Sequence, residues 1–380
     1  MSYSLSRPFG LYIHWPFCVS KCPYCDFNSH VSSGIDADLW QRAYVQELER
    51  IYQESKNHRV SSIFFGGGTP SLMRAQTVEA ILNKIEQLWG MCENVEITLE
   101  ANPTTVESHT FRDFRTAGIN RLSIGIQSLH ADVLKFLGRA HSMDEARTAL
   151  DLAAQTFDRY SFDLIYARPD QTLESWRSEL KEALTYSKGH LSLYQLTIEP
   201  GTDFHKQGMQ PIDEELGADL FDLTQDILET ANMPAYEISN HAVQGQESRH
   251  NLIYWQGDHY IGIGPGAHSR FQNQAIHQIY KPDLWIKSVQ EKQSGEQKRK
   301  ALDIDERAIE LLLMGLRLRD GLSADHFEKL TGRPLLHQLD TQGLQDMIEL
   351  GFIDWDQNYL RPTEDGRKCL NAVLEKLIKI

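Results

Sequence analysis

Cys18, Cys22 and Cys25 stand within eight positions of one another in the stretch WPFCVSKCPYCDF, and only Cys92 and Cys369 remain elsewhere in the 380 residues. Three thiolates on one short loop suit an iron–sulfur cube, because sulfur is the soft ligand such clusters take and short spacers let one loop cap three corners. The fourth iron is then left without a cysteine. Two other chemistries use the same residues. Zinc would need a fourth ligand from the flanking His14 or His30, whereas structural zinc sites usually draw on two knuckles and the chain has no second CxxC pair. A redox pair of Cys22 and Cys25 would leave Cys18 without a role.

Such a loop needs a rigid rim. From residue 9 to about 240, β-type runs alternate with amphipathic stretches. FGLYIH (9–14) precedes the cysteines, and a helix capped by Asp36 or Asp38 follows, with Leu39, Ala43, Leu48 and Ile51 on one face. The runs VSSIFF (60–65), VEITLE (95–100), RLSIGIQS (121–128), SFDLIY (161–166) and LSLYQL (191–196) come next, separated by helical patterns near 75–88, 105–117, 142–157 and 172–187, with another over 213–232. About six βα units predict an α/β fold, a parallel (β/α)6 barrel closed or nearly closed, with ligands at the C-terminal ends of its strands. After Asn240 the chain turns aromatic and Gly-rich, and EKQSGEQKRKA (291–301) reads as a linker. The expected organisation is a core over 1–240, an associated segment over 241–295 and a C-terminal domain over 296–380. In that last part, helices, a hairpin over 351–363 and a final helix predict a small winged-helix-like α+β unit.

Charge narrows the partners. The whole chain carries −15, and residues 301–380 hold 10 Lys and Arg against 15 Asp and Glu, a balance of −5, so no basic footprint for nucleic acid is present. No stretch approaches the ~20 apolar residues of a membrane span, and the first residues lack an apolar run with a cleavage site. A soluble, cytoplasmic protein is expected.

The spacing C-x3-C-x2-C after the first strand of a parallel barrel resembles the signature of the radical S-adenosylmethionine (SAM) superfamily. YIHWPFCVSKCPYCDF, FFGGGTPS, ITLEANP, SIGIQS, LGRAH and GIGPGAHS, in this order and over nearly the whole chain, resemble its HemN/HemW-like group, which joins oxygen-independent coproporphyrinogen III dehydrogenases to heme chaperones. The resemblance implies a 4Fe-4S cluster on Cys18, Cys22 and Cys25 whose free iron takes the amino and carboxylate groups of SAM, and one-electron cleavage of SAM to methionine and a deoxyadenosyl radical. It implies SAM contacts from Gly67, Gly68 and Thr69, from Glu100, Gln127, Arg139 and Asp163 at the same rim, and from Tyr12 and Tyr24 beside the cluster. On their own these residues also have plain readings: a tight turn, an exposed strand-end acid, packed aromatics. Asp163, a lone acid in an apolar run, needs partners and so favours a site.

Position 27 divides the group. The dehydrogenases carry a fourth cysteine there and a longer segment before the cluster, whereas this chain has Phe27 and 17 residues ahead of Cys18. Both departures imply a heme chaperone. HNLIYW (250–255) resembles the heme-associated motif of the chaperones and implies His250 as a heme ligand, since imidazole is a natural axial ligand; by composition alone, a His among aromatics is more often core. The implied function is binding heme and delivering it to acceptor apoproteins, respiratory hemoproteins among the candidates, with a 4Fe-4S cluster, SAM and heme as cofactors. The alternative is oxidative decarboxylation of coproporphyrinogen III. A homodimer and transient membrane contact stay open.

Overall fold

The computed structural model describes residues 8–32 and 34–379. Strands β1 (Pro8–Trp15), β2 (Arg59–Gly67), β3 (Met91–Ala101), β4 (Arg121–Gln127), β5 (Arg159–Tyr166) and β6 (His190–Gln195) lie parallel in chain order. β7 (Asn240–Ala242) turns antiparallel against β6 and forms one edge. β8 (Tyr260–Ile263) returns in parallel to the other side of β1, and β9 (His268–Phe271), β10 (Gln274–Gln278) and β11 (Glu296–Ala301) extend that edge antiparallel. The sheet runs β11-β10-β9-β8-β1-β2-β3-β4-β5-β6-β7, and its two edges do not pair with each other. The barrel is partial, and the βα rhythm of the sequence delivers its parallel part.

The helices cover the outside because their apolar residues recur every three or four positions. Helix Ala37–Ser55 is capped by Asp36, whose side chain accepts from Leu39 N at 3.0 Å, and buries Trp40, Ala43, Tyr44, Leu48 and Ile51. Losing such a cap costs ~1 kcal/mol. Trp40 stacks on Trp285 of helix Pro282–Lys292 at 5.7 Å, which clamps the late segment to the first βα unit. The single helix expected over 105–117 is instead two, Thr105–Ser108 and Phe111–Ala117. The Thr110 hydroxyl donates to the Glu107 carbonyl at 2.7 Å and so competes with a continuous helical ladder.

The linker expected over 291–301 is a correction. Its first residues complete helix Pro282–Lys292 and Glu296–Ala301 form the edge strand β11, so the main sheet runs past the boundary expected near 295. Five of the strand's six residues are exposed, and a charged, solvent-facing edge strand has the composition of a linker. Beyond it, helices Ile304–Gly315, Ala324–Thr331 and Thr341–Glu349 pack with a three-stranded sheet of Leu322–Ser323, Tyr359–Pro362 and Ile353–Trp355 around a separate apolar core. A short turn at Leu335–His337 precedes the helix that begins at Thr341.

Candidate functional site

The cysteine loop is tied down at both ends. Phe17–Cys18 pairs in parallel with His30–Val31, so the loop closes on itself, and the rim of β2 holds it through Gly68 N to Trp15 O at 2.7 Å and Thr69 N to Phe17 O at 2.8 Å. Asn28 anchors the far side by donating to the Pro265 and Tyr280 carbonyls, both at 2.9 Å. His14 and His30 serve this anchoring: His14 Nε2 meets the Asn28 carbonyl and His30 Nε2 the Asn28 side-chain oxygen, each at 2.9 Å. Among the described residues, no three His, Cys, Asp or Glu side chains converge on one point as a single ion requires. A cube asks for something different, one thiolate for each of three irons.

All three thiols are free and half-buried at the mouth of one cavity of about 440 Å³. Burial pushes the Cys18 and Cys25 thiols up, against hydrogen bonds from Thr69 to Cys18 and from the Phe27 backbone to Cys25. Arg139 Nη1 donates to Cys22 Sγ at 3.2 Å, while its Nη2 donates to Asn102 Oδ1 at 2.6 Å and to the Gly125 carbonyl at 2.8 Å. One guanidinium thereby links the loop to the ends of β3 and β4 and sets a positive charge beside a prospective thiolate. Asn102 Nδ2 in turn donates to Thr69 Oγ1 at 3.2 Å. Asn102 is a further site residue; it lies in the same ITLEANP stretch as Glu100 but carries no charge to single it out in the sequence.

Every expected site residue except Tyr12 and His250 lines this cavity. Its volume falls within the ~300–1,000 Å³ of small-molecule sites. Glu100 accepts from Gly67 N at 3.1 Å, yet loss of hydration, reinforced by Asp163, pushes its carboxyl up to about 8. Asp163 is pushed up to about 6 by burial, despite Ser192, Arg121 and Arg139. Gln127, at a left-handed φ of 72°, turns its amide inward. Asp163 Oδ1, Gln127 Oε1 and Arg139 Nε are buried with no hydrogen-bond partner. Two acceptors and one donor left open in a pocket of this size match the mixed polarity of SAM, with its ammonium, carboxylate, ribose and adenine groups. Three thiols at the mouth and this lining fit a cluster with SAM beneath it.

The glycines act differently from the simple reading of room for a ligand. A Cβ on Gly68 would stand 2.6 Å from the Phe17 carbonyl oxygen, and one on Gly67, at φ +114°, would stand 2.6 Å from the His14 ring. They are needed because the cysteine loop itself lies against this turn.

Tyr12 and His250 border a second chamber of about 210 Å³ deeper in the sheet, which shares Glu100, Ser123 and Asp163 with the first. His250 is 1% exposed. Its Nδ1 meets Ser62 Oγ at 2.8 Å, its Nε2 meets the Tyr254 hydroxyl at 2.7 Å, and its ring stacks on Phe64 at 5.1 Å. Burial, helped by Arg121, brings it down to about 3, so the ring is neutral. Both nitrogens are engaged, and iron ligation by His250 would require breaking one of these bonds. The arrangement is that of a satisfied core histidine.

Residues 12–183 match the profile of the Radical SAM superfamily, and residues 302–368 that of the HemN C-terminal domain. The chain is 36% identical to the heme chaperone HemW of Escherichia coli K12 over 372 residues, covering 97% of each. It is also 36% identical to radical S-adenosyl methionine domain-containing protein 1, mitochondrial, of Danio rerio over 384 residues, covering 97% of this chain and 86% of that protein. The solved structure of coproporphyrinogen III oxidase (HemN) from Escherichia coli, a radical SAM enzyme, superposes with a TM-score of 0.84 over 98% of this chain and 90% of that one, at 20% identity, a likeness of fold.

Proposed function

Because the chain belongs to the radical SAM superfamily, in the family of the HemW heme chaperones, we propose that it binds heme and passes it to acceptor apoproteins while carrying a 4Fe-4S cluster and SAM. The observation that carries this reading is similarity along the full length to the HemW proteins, including one at 35% identity from Haemophilus influenzae. Phe27, 59% exposed at the cavity mouth, supports it, since the dehydrogenases this group resembles carry a further cysteine there.

In this reading Cys18, Cys22 and Cys25 hold the cluster, Gly67, Gly68, Thr69, Glu100, Gln127, Arg139, Asp163 and Tyr24 build the SAM pocket around it, and Tyr12 lies in the adjoining chamber. The bound pair would supply one-electron reduction of the sulfonium. The chain's own contribution is positional: Arg139 steadies Cys22, and Glu100, whose carboxyl burial raises, accepts from Gly67 N and so holds the glycine turn at the pocket. No described helix is long and apolar enough to cross a membrane. A cytoplasmic location is part of the proposal, supported by five free cysteines, which a reducing compartment preserves.

The test is transfer. Purified protein loaded with one heme and mixed with a heme-free acceptor should lose its Soret absorption as the acceptor gains it. In parallel, anaerobic protein given SAM, a reductant and coproporphyrinogen III should form no protoporphyrinogen IX; steady formation of that product would replace the chaperone reading with the dehydrogenase.

A further inference from the structure

The motif helix Arg249–Trp255 has two faces. His250 and Ile253 point into the sheet, whereas Leu252 and Trp255 line a cavity of about 980 Å³ between this helix and the C-terminal domain, more than twice the volume of the cysteine cavity. Across from them stand Leu318 and Leu322, 8% and 3% exposed, and Tyr359, 40% exposed. The groove is amphipathic, since Glu247, Asp258 and Asp320 share the lining with these apolar side chains; a flat macrocycle with polar edges has the same division, and the volume lies at the upper end of ligand sites, ~300–1,000 Å³. Arg319 and Arg361 line the same groove; they pair with Glu229 and Asp356 at 2.8 and 2.7 Å, exposed ion pairs of small net worth that another carboxylate can replace. Arg361 Nε and Trp255 Nε1 are buried donors without a partner.

One further residue on that lining is His326, near the start of helix Ala324–Thr331. Its Nε2 lies 2.9 Å from the Gln256 carbonyl, at the end of the motif helix, and 3.7 Å from the Asp258 carboxylate. A carbonyl only accepts, so Nε2 carries a proton, and in the neutral ring Nδ1 then holds the lone pair. Among the described residues Nδ1 makes no hydrogen bond, and the side chain is 31% exposed. A histidine that binds a metal commonly has this form, with one nitrogen oriented by a carbonyl or carboxylate and the other open. His141, on the lining of the cysteine cavity, has a related form, with its Nε2 3.1 Å from the Ile126 carbonyl, but it is 5% exposed and belongs to the site already described. His14 and His250 have both nitrogens engaged, and His268, at a cavity of about 370 Å³, stacks on His277 at 4.1 Å and, among the described residues, has no hydrogen bond to fix its tautomer.

We propose that heme is held in the groove between the motif helix and the C-terminal domain, with His326 Nδ1 as its axial ligand and Arg319 and Arg361 facing its propionates. This rests on the heme-binding reading and moves the ligand away from His250. The motif then acts through its Leu252 and Trp255 face, as a wall of the site.

Ferric heme titrated into the full chain tests it. Wild-type protein should saturate at one heme with a histidine-type Soret band. His326→Ala should weaken binding by about tenfold or more and move the band toward that of free heme. His326→Cys should give a third, thiolate-type band, which a merely structural histidine would not produce. Trp255→Ala should weaken uptake with the wild-type band retained. A His326→Ala protein with wild-type band and affinity, or a His326→Cys protein indistinguishable from it, overturns the assignment of His326 while leaving heme binding intact. Failure of the wild type to saturate overturns heme binding and this inference together.

Discussion

Replacing His250 by Ala separates a core histidine from a heme ligand. The substitution removes two buried hydrogen bonds, from Ser62 and Tyr254, and the stack on Phe64. Each bond contributes ~0.5–1.5 kcal/mol net, and the lost ring contact adds to this, so a total of ~2–4 kcal/mol is expected. The adjacent chamber can hydrate the orphaned hydroxyls, which favours the lower half of that range. An unfolding entropy of ~2.1 cal/mol/K per residue over 380 residues gives about 0.8 kcal/mol/K, so Tm should fall by about 2.5–4 °C. The loss should depend on pH. His250 titrates near 3 when folded against 6.5 when unfolded, so the unfolded chain binds the extra proton between these values, and the stability this ring contributes is lost as pH falls through that window. The gap between wild type and variant should therefore be widest above pH 6.5 and narrow on acidification. Thermal melts from pH 5 to 8 and heme spectra on the same preparations are the assay. An unchanged Tm together with a lost or shifted Soret band would refute the core assignment and restore His250 as the ligand.

Replacing any one of Cys18, Cys22 and Cys25 by Ser should abolish the reconstituted four-iron chromophore, whereas Cys92→Ser and Cys369→Ser should retain full iron content; four irons in Cys18→Ser would count against the cluster assignment. Gly68→Ala should lower iron content and SAM affinity together, because its Cβ meets the Phe17 backbone; calorimetric loss of SAM binding with iron content intact would return the glycine to a role at the ligand itself. Glu100 is raised to about 8 when folded, from 4.5, so the folded chain binds the extra proton and this carboxyl costs stability increasingly as pH rises through that interval. Ligand-free Glu100→Gln should accordingly gain in Tm on the wild type between pH 5 and 8, and a constant difference would contradict the raised value.

The parallel order of β1 to β6 was legible because each strand is a short apolar run followed by an amphipathic helix, and right-handed crossovers leave few other solutions. The rim residues were legible because they sit where those runs end. β11 was not, since an exposed edge strand of charged residues has no apolar signal to distinguish it from a linker. Asn102 was not, because a neutral amide gains its meaning only once Arg139, 37 positions later, is seen to donate to it.

The motif HNLIYW shows the deeper limit. Its six letters state that aromatic and polar groups occur together, but a helix distributes them over opposite faces, and the division depends on what is packed there. The sheet takes His250, whose neighbour Ser62 lies 188 positions earlier; the C-terminal domain supplies the wall opposite Trp255 from residues 318 to 361. Neither distance is encoded in the motif. A histidine that looks like a ligand in sequence is thus satisfied on both nitrogens, while His326, which stands in no recognisable motif, has one nitrogen oriented and, among the described residues, no partner for the other. Availability of a lone pair is a property of the folded neighbourhood, and residue type alone does not carry it.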